Sequence, residues 1–228
     1  IIIVVLGALL EKTGASGVLM DIAVSMTRNS RGGPAKAAVV GSSLMGMISG
    51  TAVANVLTTG TISIPLMRRG GYRPAVAGAV EAVASTGGQL MPPIMGAAAF
   101  LMADILEVPY LDITKAALLP ALLFYIAVFA SVHLEAIKIG LKPLESIDIP
   151  DVAQSLRNSG HVLLSIPVFI GTLISGYSVM YSSLAGIICL LALSLLRHSS
   201  RLNPRQLIAA AVSAAEAIVI QRPKRSFQ

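Results

Sequence analysis

Residues 35–106 are apolar, yet two short stretches in them cannot carry a helix onward. The first is Ser49-Gly50-Thr51-Ala52-Val53-Ala54-Asn55, rich in small and polar side chains. The second is Thr86-Gly87-Gly88-Gln89-Leu90-Met91-Pro92-Pro93. Each proline lacks an N–H, and the residue before it is pushed towards extended backbone, so the second stretch ends any helical ladder. Broken backbone is tolerated in lipid only where protein buries it or where it lines a watery cavity. Two breaks so close together therefore predict a site.

Lipid is the expected solvent because the chain has too little charge for water. Of 228 residues, 55% are hydrophobic and 12% charged, with a mean hydropathy of +0.80. A soluble domain carries about 25% charge. The net charge of +6 does not form a nucleic-acid face. The basic residues fall in short clusters (Arg28 and Arg31; Arg68, Arg69 and Arg73; Lys138 and Lys142; Arg197, Arg201 and Arg205), as at the ends of membrane spans. Without Trp, and with five Phe and five Tyr, there is little platform for base stacking either, so no nucleic-acid partner is expected. The single Cys189 cannot form an internal disulfide, and no His/Cys cluster has metal-ligand spacing. No nucleophile–base pair, zinc-protease motif or phosphate-binding glycine loop points to an enzyme.

A helix needs about 20 apolar residues to cross the hydrocarbon core. Residues 113–134 supply one such run, interrupted by Lys115 and Pro120, and residues 162–196 supply two crossings with a turn at Ser175-Gly176-Tyr177-Ser178. Residues 1–10 read as the truncated end of a membrane helix, 142–161 as a polar connection and 197–228 as a basic, truncated C-terminal segment. Around the first break, residues 35–48 and 56–67 form arms of roughly 12–14 residues, too short to span, so 35–67 reads as a re-entrant hairpin. Around the second, half-helices over 75–85 and 94–106 make a discontinuous helix. The expected fold is an all-α integral membrane protein with several spans.

The ordered set Gly46-Met47-Ile48-Ser49-Gly50-Thr51-Ala52-Val53-Ala54-Asn55, Thr61-Ile62-Ser63-Ile64-Pro65-Leu66-Met67 and Gly71-Tyr72 resembles the first hairpin of the large permeases of tripartite ATP-independent periplasmic (TRAP) transporters. Glu81-Ala82-Val83-Ala84-Ser85-Thr86-Gly87-Gly88-Gln89, followed by Met91-Pro92-Pro93-Ile94-Met95-Gly96-Ala97-Ala98-Ala99-Phe100, resembles the subclass in which small and large membrane subunits are fused. The resemblance is most specific over residues 32–141. It implies an elevator-type transporter with two inverted repeats, of which residues 11–141 would be the first. It also implies a multi-pass protein of the bacterial cytoplasmic membrane, sodium as the coupling ion with no other cofactor, and an organic anion of carboxylate type. A periplasmic receptor would deliver that anion, and a small membrane subunit would be fused in the parent protein. A channel or pore-forming subunit, or a non-functional truncated permease, is the alternative.

Sodium prefers hard oxygen donors, and the carbonyls of broken helices provide them. The resemblance makes Ser49, Gly50, Thr51, Gly87, Gly88, Leu90 and Pro92 the candidate sodium ligands; the alternative is that small residues there only permit close helix packing. Asn55 and Gln89 are amides in apolar surroundings that must find partners. They are candidate substrate contacts, or pins between hairpin and scaffold. Glu81, an ionisable residue at membrane depth, is a third substrate candidate, or it pairs with Arg73 or Arg68. Asp104, Glu107, His133, Glu135, His161 and His198 read as interfacial. Arg68, Arg69 and Arg73 mark a cytoplasmic loop or a surface that docks a partner subunit.

Overall fold

A computed structural model describes residues 2–141 and 152–196, and every regular element among them is helical. Residues 142–151 of the expected polar connection, and all of the basic segment 197–228 with His198, lie outside the described residues. In chain order the helices are α1 (Ile2–Lys12), α2 (Ala15–Thr27), α3 (Gly33–Ser49), α4 (Ala52–Arg69) and α5 (Pro74–Gly87). They continue with α6 (Ala97–Leu106), α7 (Tyr110–Lys138) and α8 (Val152–Ser159), a 3₁₀ turn (Gly160–Leu164), α9 (Ser165–Ile174) and α10 (Val179–Leu196).

Both breaks exist; the first is narrower than the sequence suggested, and the second lies further along the chain. The first is only Gly50-Thr51, where Gly50 caps α3 at φ +62 and donates its N–H to Gly46 O, and Thr51 is extended. Glycine takes that left-handed conformation without steric penalty. Asn55 is therefore already inside α4, and the arms run to 17 and 18 residues. That is about 26 Å each, and about a third more residues than expected. Pro34 in the first turn of α3 and Pro74 at the start of α5 suit a helix N-terminus, where the missing N–H is no loss. In the second break α5 continues through Gly87, and α6 resumes at Ala97.

Helix α3 lies at the centre, packed on α2, α4, α5 and α7. The turns α2–α3 and α4–α5 meet at one end, where Gly32 sits against Tyr72 and Ala136 of α7. This end gathers Arg28, Arg31, Arg68, Arg69 and Arg73 beside the α7 C-terminus. Burial, and secondarily the carboxylate of Glu135, push the Tyr72 phenol in the α4–α5 turn up to about 12, so it stays neutral there. At the other end a second core joins α1, the end of α3, Ile94, Met95, Ala99 and Tyr110 with Val162, Phe169, Leu173 and Leu190.

Among the described residues one helix, α7 with 29 residues, is long and apolar enough to cross a membrane. It extends the expected span by about one turn at each end, continues through Pro120, and leaves Leu119, Leu123 and Ile126 exposed along its length. The turn expected at Ser175-Gly176-Tyr177-Ser178 separates α9 from α10. Their apolar stretches, Gly160–Ile174 and Val179–Ser194, are shorter than α7.

Backbone meets backbone at three glycines. A Cβ on Gly46 would lie 2.3 Å from Gly88 Cα, one on Gly7 2.3 Å from Ile48 O, and one on Gly50 2.4 Å from Met95 O. Neither partner at the Gly46–Gly88 crossing is a side chain that can turn away. Gly46→Ala should therefore destabilise the complete parent protein by about 1–3 kcal/mol, read as a lower Tm in detergent. Gly17→Ala, where a Cβ meets nothing within 4 Å, should leave the Tm no lower.

Candidate functional site

The bend and the break lie together. Gly50 rests on the carbonyl of Met95 and on Ile94, and Gly96 faces Gly50 O. Met95 holds φ +53, which is uncommon outside glycine. The bend thus meets the far side of the break, beyond the stretch 86–93 that the sequence singled out. Gly88, within that stretch, meets α3 a turn before the bend, at Gly46. On the opposite side, Gly7 of α1 closes on Ile48 and Ser49.

The candidate ion ligands fall into two groups. Ser49 is buried at the end of α3, with its hydroxyl donating to Thr51 O at 3.4 Å; Thr51 is half-buried. Gly87 ends α5 against the Phe124 ring, Gly88 lies at the crossing with Gly46, Pro92 is buried, and Leu90 is 45% exposed. Gln89 is half-buried, and its backbone carbonyl accepts the Gly96 N–H at 2.8 Å, which draws the two ends of the break together.

Asn55 is fully buried. Its Nδ2 donates to Ser42 O on α3 at 2.9 Å and to Ser85 O on α5 at 3.5 Å, while Oδ1 has no partner. It thereby bridges both hairpin arms and the broken helix beside the Gly46–Gly88 crossing.

Glu81 is the largest departure from expectation. It is wholly buried, and neither Arg73 nor Arg68 reaches it. Among the described residues the ion pairs are Lys115–Asp112 and Lys138–Glu135. Its carboxylate instead receives four hydroxyls from three helices: Ser42 at 3.1 Å and Ser85 at 2.9 Å on Oε1, with Thr59 also on Oε1 and Ser63 on Oε2. A hydrogen bond to a charged group contributes about 1.5–3 kcal/mol. Neutral donors thus do here what an arginine was expected to do. The sequence carries a trace of this arrangement, since Asn55, Thr59 and Ser63 recur every four residues on one face of α4, as do Glu81 and Ser85 on α5. A second carboxylate, Glu11 on α1, accepts from Thr58 on α4.

Two tyrosines of α7 hold the broken helix. Tyr125 donates to Ala84 O at 2.9 Å, and the Tyr110 hydroxyl lies 2.9 Å from Pro93 O and 2.8 Å from Ile94 O. The Tyr110 ring stacks on Phe100 of α6. The carbonyls released from the helical ladder at the break are thus met by a side chain from elsewhere, as apolar surroundings require. Tyr110→Phe keeps the stacked ring but removes that donor. Amide exchange over residues 88–96 of the complete protein should speed up by roughly 5- to 30-fold, matching a loss of about 1–2 kcal/mol.

Comparison with known proteins identifies a family. Residues 1–220 match the family model of the tripartite ATP-independent periplasmic transporter, DctM component. The C4-dicarboxylate TRAP transporter large permease protein DctM of Pseudomonas aeruginosa is 29% identical over 75% of this chain and 39% of its own length. An uncharacterized protein of Salmonella typhimurium, YgiK, is 27% identical over 76% of this chain and 40% of its own. Another of Sinorhizobium fredii, y4mL, is 32% identical over 46% of this chain and 25% of its own. The chain thus spans at most about two fifths of these relatives. The matched family is one of transporter components, not of enzymes. The chain belongs to the DctM component family of the tripartite ATP-independent periplasmic transporters.

Proposed function

We propose that this chain forms the hairpin and broken-helix half of a permease that uses sodium to take up an organic anion across the bacterial inner membrane. The carrying observation is the meeting of bend and break at Gly50 and Met95–Gly96, which brings two interrupted helices to one place in a chain of this family. Half-helix ends there offer carbonyl oxygens suited to sodium and N-termini suited to a carboxylate. Ser49, Gly50 and Thr51 on one side, with Gly87, Gly88, Leu90 and Pro92 on the other, are the proposed sodium ligands; Asn55 and Gln89 are the proposed substrate contacts. Glu81 sits among hydroxyls, which favours a role inside the unit over a contact with the anion.

The name of the Pseudomonas relative carries C4-dicarboxylate, so a dicarboxylate is the substrate class to test first. The parent is read as an elevator with a second, inverted repeat, working with a periplasmic receptor and a small membrane subunit fused to it. The arginines at the α2–α3 and α4–α5 turns favour a cytoplasmic location for that end.

In the complete parent protein reconstituted with its receptor, Ser49→Ala with Thr51→Ala should raise the sodium concentration for half-maximal uptake by roughly 5- to 30-fold, equivalent to about 1–2 kcal/mol. Membrane insertion should be intact. An unchanged sodium dependence in proteoliposomes would remove these residues from the ion site. Uptake that needs no receptor would remove the receptor-fed reading.

A further inference from the structure

A carboxylate buried in an apolar protein and ringed only by hydroxyls raises the question of what else those hydroxyls can bind. The answer lies in counting hydrogens, because each hydroxyl has one to give. Ser63 and Ser85 each direct theirs at Glu81, the former to Oε2 and the latter to Oε1. Ser42 lies 3.1 Å from Glu81 Oε1 and 3.2 Å from Thr59 Oγ1. Thr59 alone faces two good acceptors: Glu81 Oε1 and, at 2.7 Å, the backbone carbonyl of Asn55 one turn back. It cannot serve both at once.

Two complete patterns follow. With Glu81 ionised, Ser42, Thr59 and Ser85 donate to Oε1 and Ser63 to Oε2. With Glu81 protonated, an O–H bond forms at Oε1 and donates to Thr59 Oγ1. The Thr59 hydroxyl then turns its hydrogen to Asn55 O, Ser42 turns its own to Thr59 Oγ1 at 3.2 Å, and Ser63 and Ser85 keep their acceptors. No donor is stranded in either state, whereas a half-satisfied buried network is costly. The proton comes from bulk water and returns to it, and no other reactant is needed. A metal cation fits less well, because it needs hydroxyl lone pairs turned inward, and Ser63 and Ser85 point their hydrogens at the carboxylate.

We propose that Glu81 is a proton-binding site, with Thr59 as the hydroxyl that switches acceptor when the proton arrives. The ionisable groups on the packed helices leave this role to Glu81. From α7, Tyr125 donates to Ala84 O and His133 lies two turns further along the helix. From α3, Lys36 lies over the Phe129 ring at 5.2 Å, and from α1, Glu11 is engaged by Thr58. Besides Glu81, the charged residues of α4 and of the turn into α5 are Arg68, Arg69 and Arg73, at the far end of the hairpin. The proton site also touches the bend's machinery, because Ser42 and Ser85, which donate to Glu81, accept from Asn55 through their backbones. Asn55 Nδ2 in turn lies within 3.1–3.3 Å of where a Cβ on Gly46 or Gly88 would sit. This inference rests on the cluster itself and does not depend on sodium coupling.

The test is infrared difference spectroscopy of the complete parent protein, between about pH 3 and about pH 9, which brackets the ordinary range of carboxyl and histidine titration. A protonated-carboxyl stretch should grow as pH falls and should be missing in Glu81→Gln, whose amide copies the protonated pattern by donating to Thr59. In Ser63→Ala, which loses one donor to the ionised form, the same band should appear at higher pH by about one unit. Identical difference spectra for wild type and Glu81→Gln, or an unmoved band in Ser63→Ala, would overturn the proposal. Because the readout needs no transport, a negative result leaves the sodium reading standing, and a failed uptake assay leaves this one standing.

Discussion

A backbone that twice leaves the helical ladder inside an apolar chain releases N–H and C=O groups that lipid cannot satisfy. The rest of the architecture follows from how they are met. At the first break the demand is small, because Gly50 in the left-handed region returns its N–H to Gly46 O and α4 restarts after one extended residue. At the second it is large. Gly96 closes on Gln89, and Tyr110 reaches across from α7 to the carbonyls of Pro93 and Ile94. Glycine makes this possible from the other direction, because the contacts at Gly46–Gly88 and Gly50–Met95 have no room for a Cβ. Small residues at helix crossings serve the same purpose in membrane proteins generally.

Much of this was legible in the sequence, and for stated reasons. Proline and glycine act through local backbone sterics, so both breaks and the turn at 175–178 could be read directly. The limits of the arms could not. Asn55 looks like a bend residue by type but joins α4, because its side chain finds the carbonyls of Ser42 and Ser85 and so lets the helix begin earlier. Glu81 was flagged by its charge and given the wrong neighbour, since a charge suggests an opposite charge. Its four hydroxyl partners come from positions 42, 59, 63 and 85, and only the four-residue spacing on α4 and α5 hints at them. Tyr110 and Tyr125 carried no local mark at all; their roles depend on how α7 lies against α5 and the break.

The functional residues divide the same way. Those proposed to bind sodium act mainly through backbone, so residue type constrains them weakly and packing at the bend constrains them strongly. Glu81, Thr59 and Asn55 act through side chains, and their chemistry is set by one shared set of hydrogens. The two sets meet at Asn55, which hydrogen-bonds the Ser42 and Ser85 carbonyls and lies beside the glycine crossing.

The hydroxyl ring around Glu81 closes over short stretches of chain: its sequence separations are 39, 22, 18 and 4 residues. Loop-closure entropy grows only slowly with length, and contacts this local form early. The hairpin and the first half of the broken helix can therefore consolidate as soon as Ser85 has been synthesised, before α7 emerges and before any later part of a parent protein exists. The hairpin would then be an assembly intermediate in its own right, its buried carboxylate already ringed by hydroxyls while the remainder is still being made.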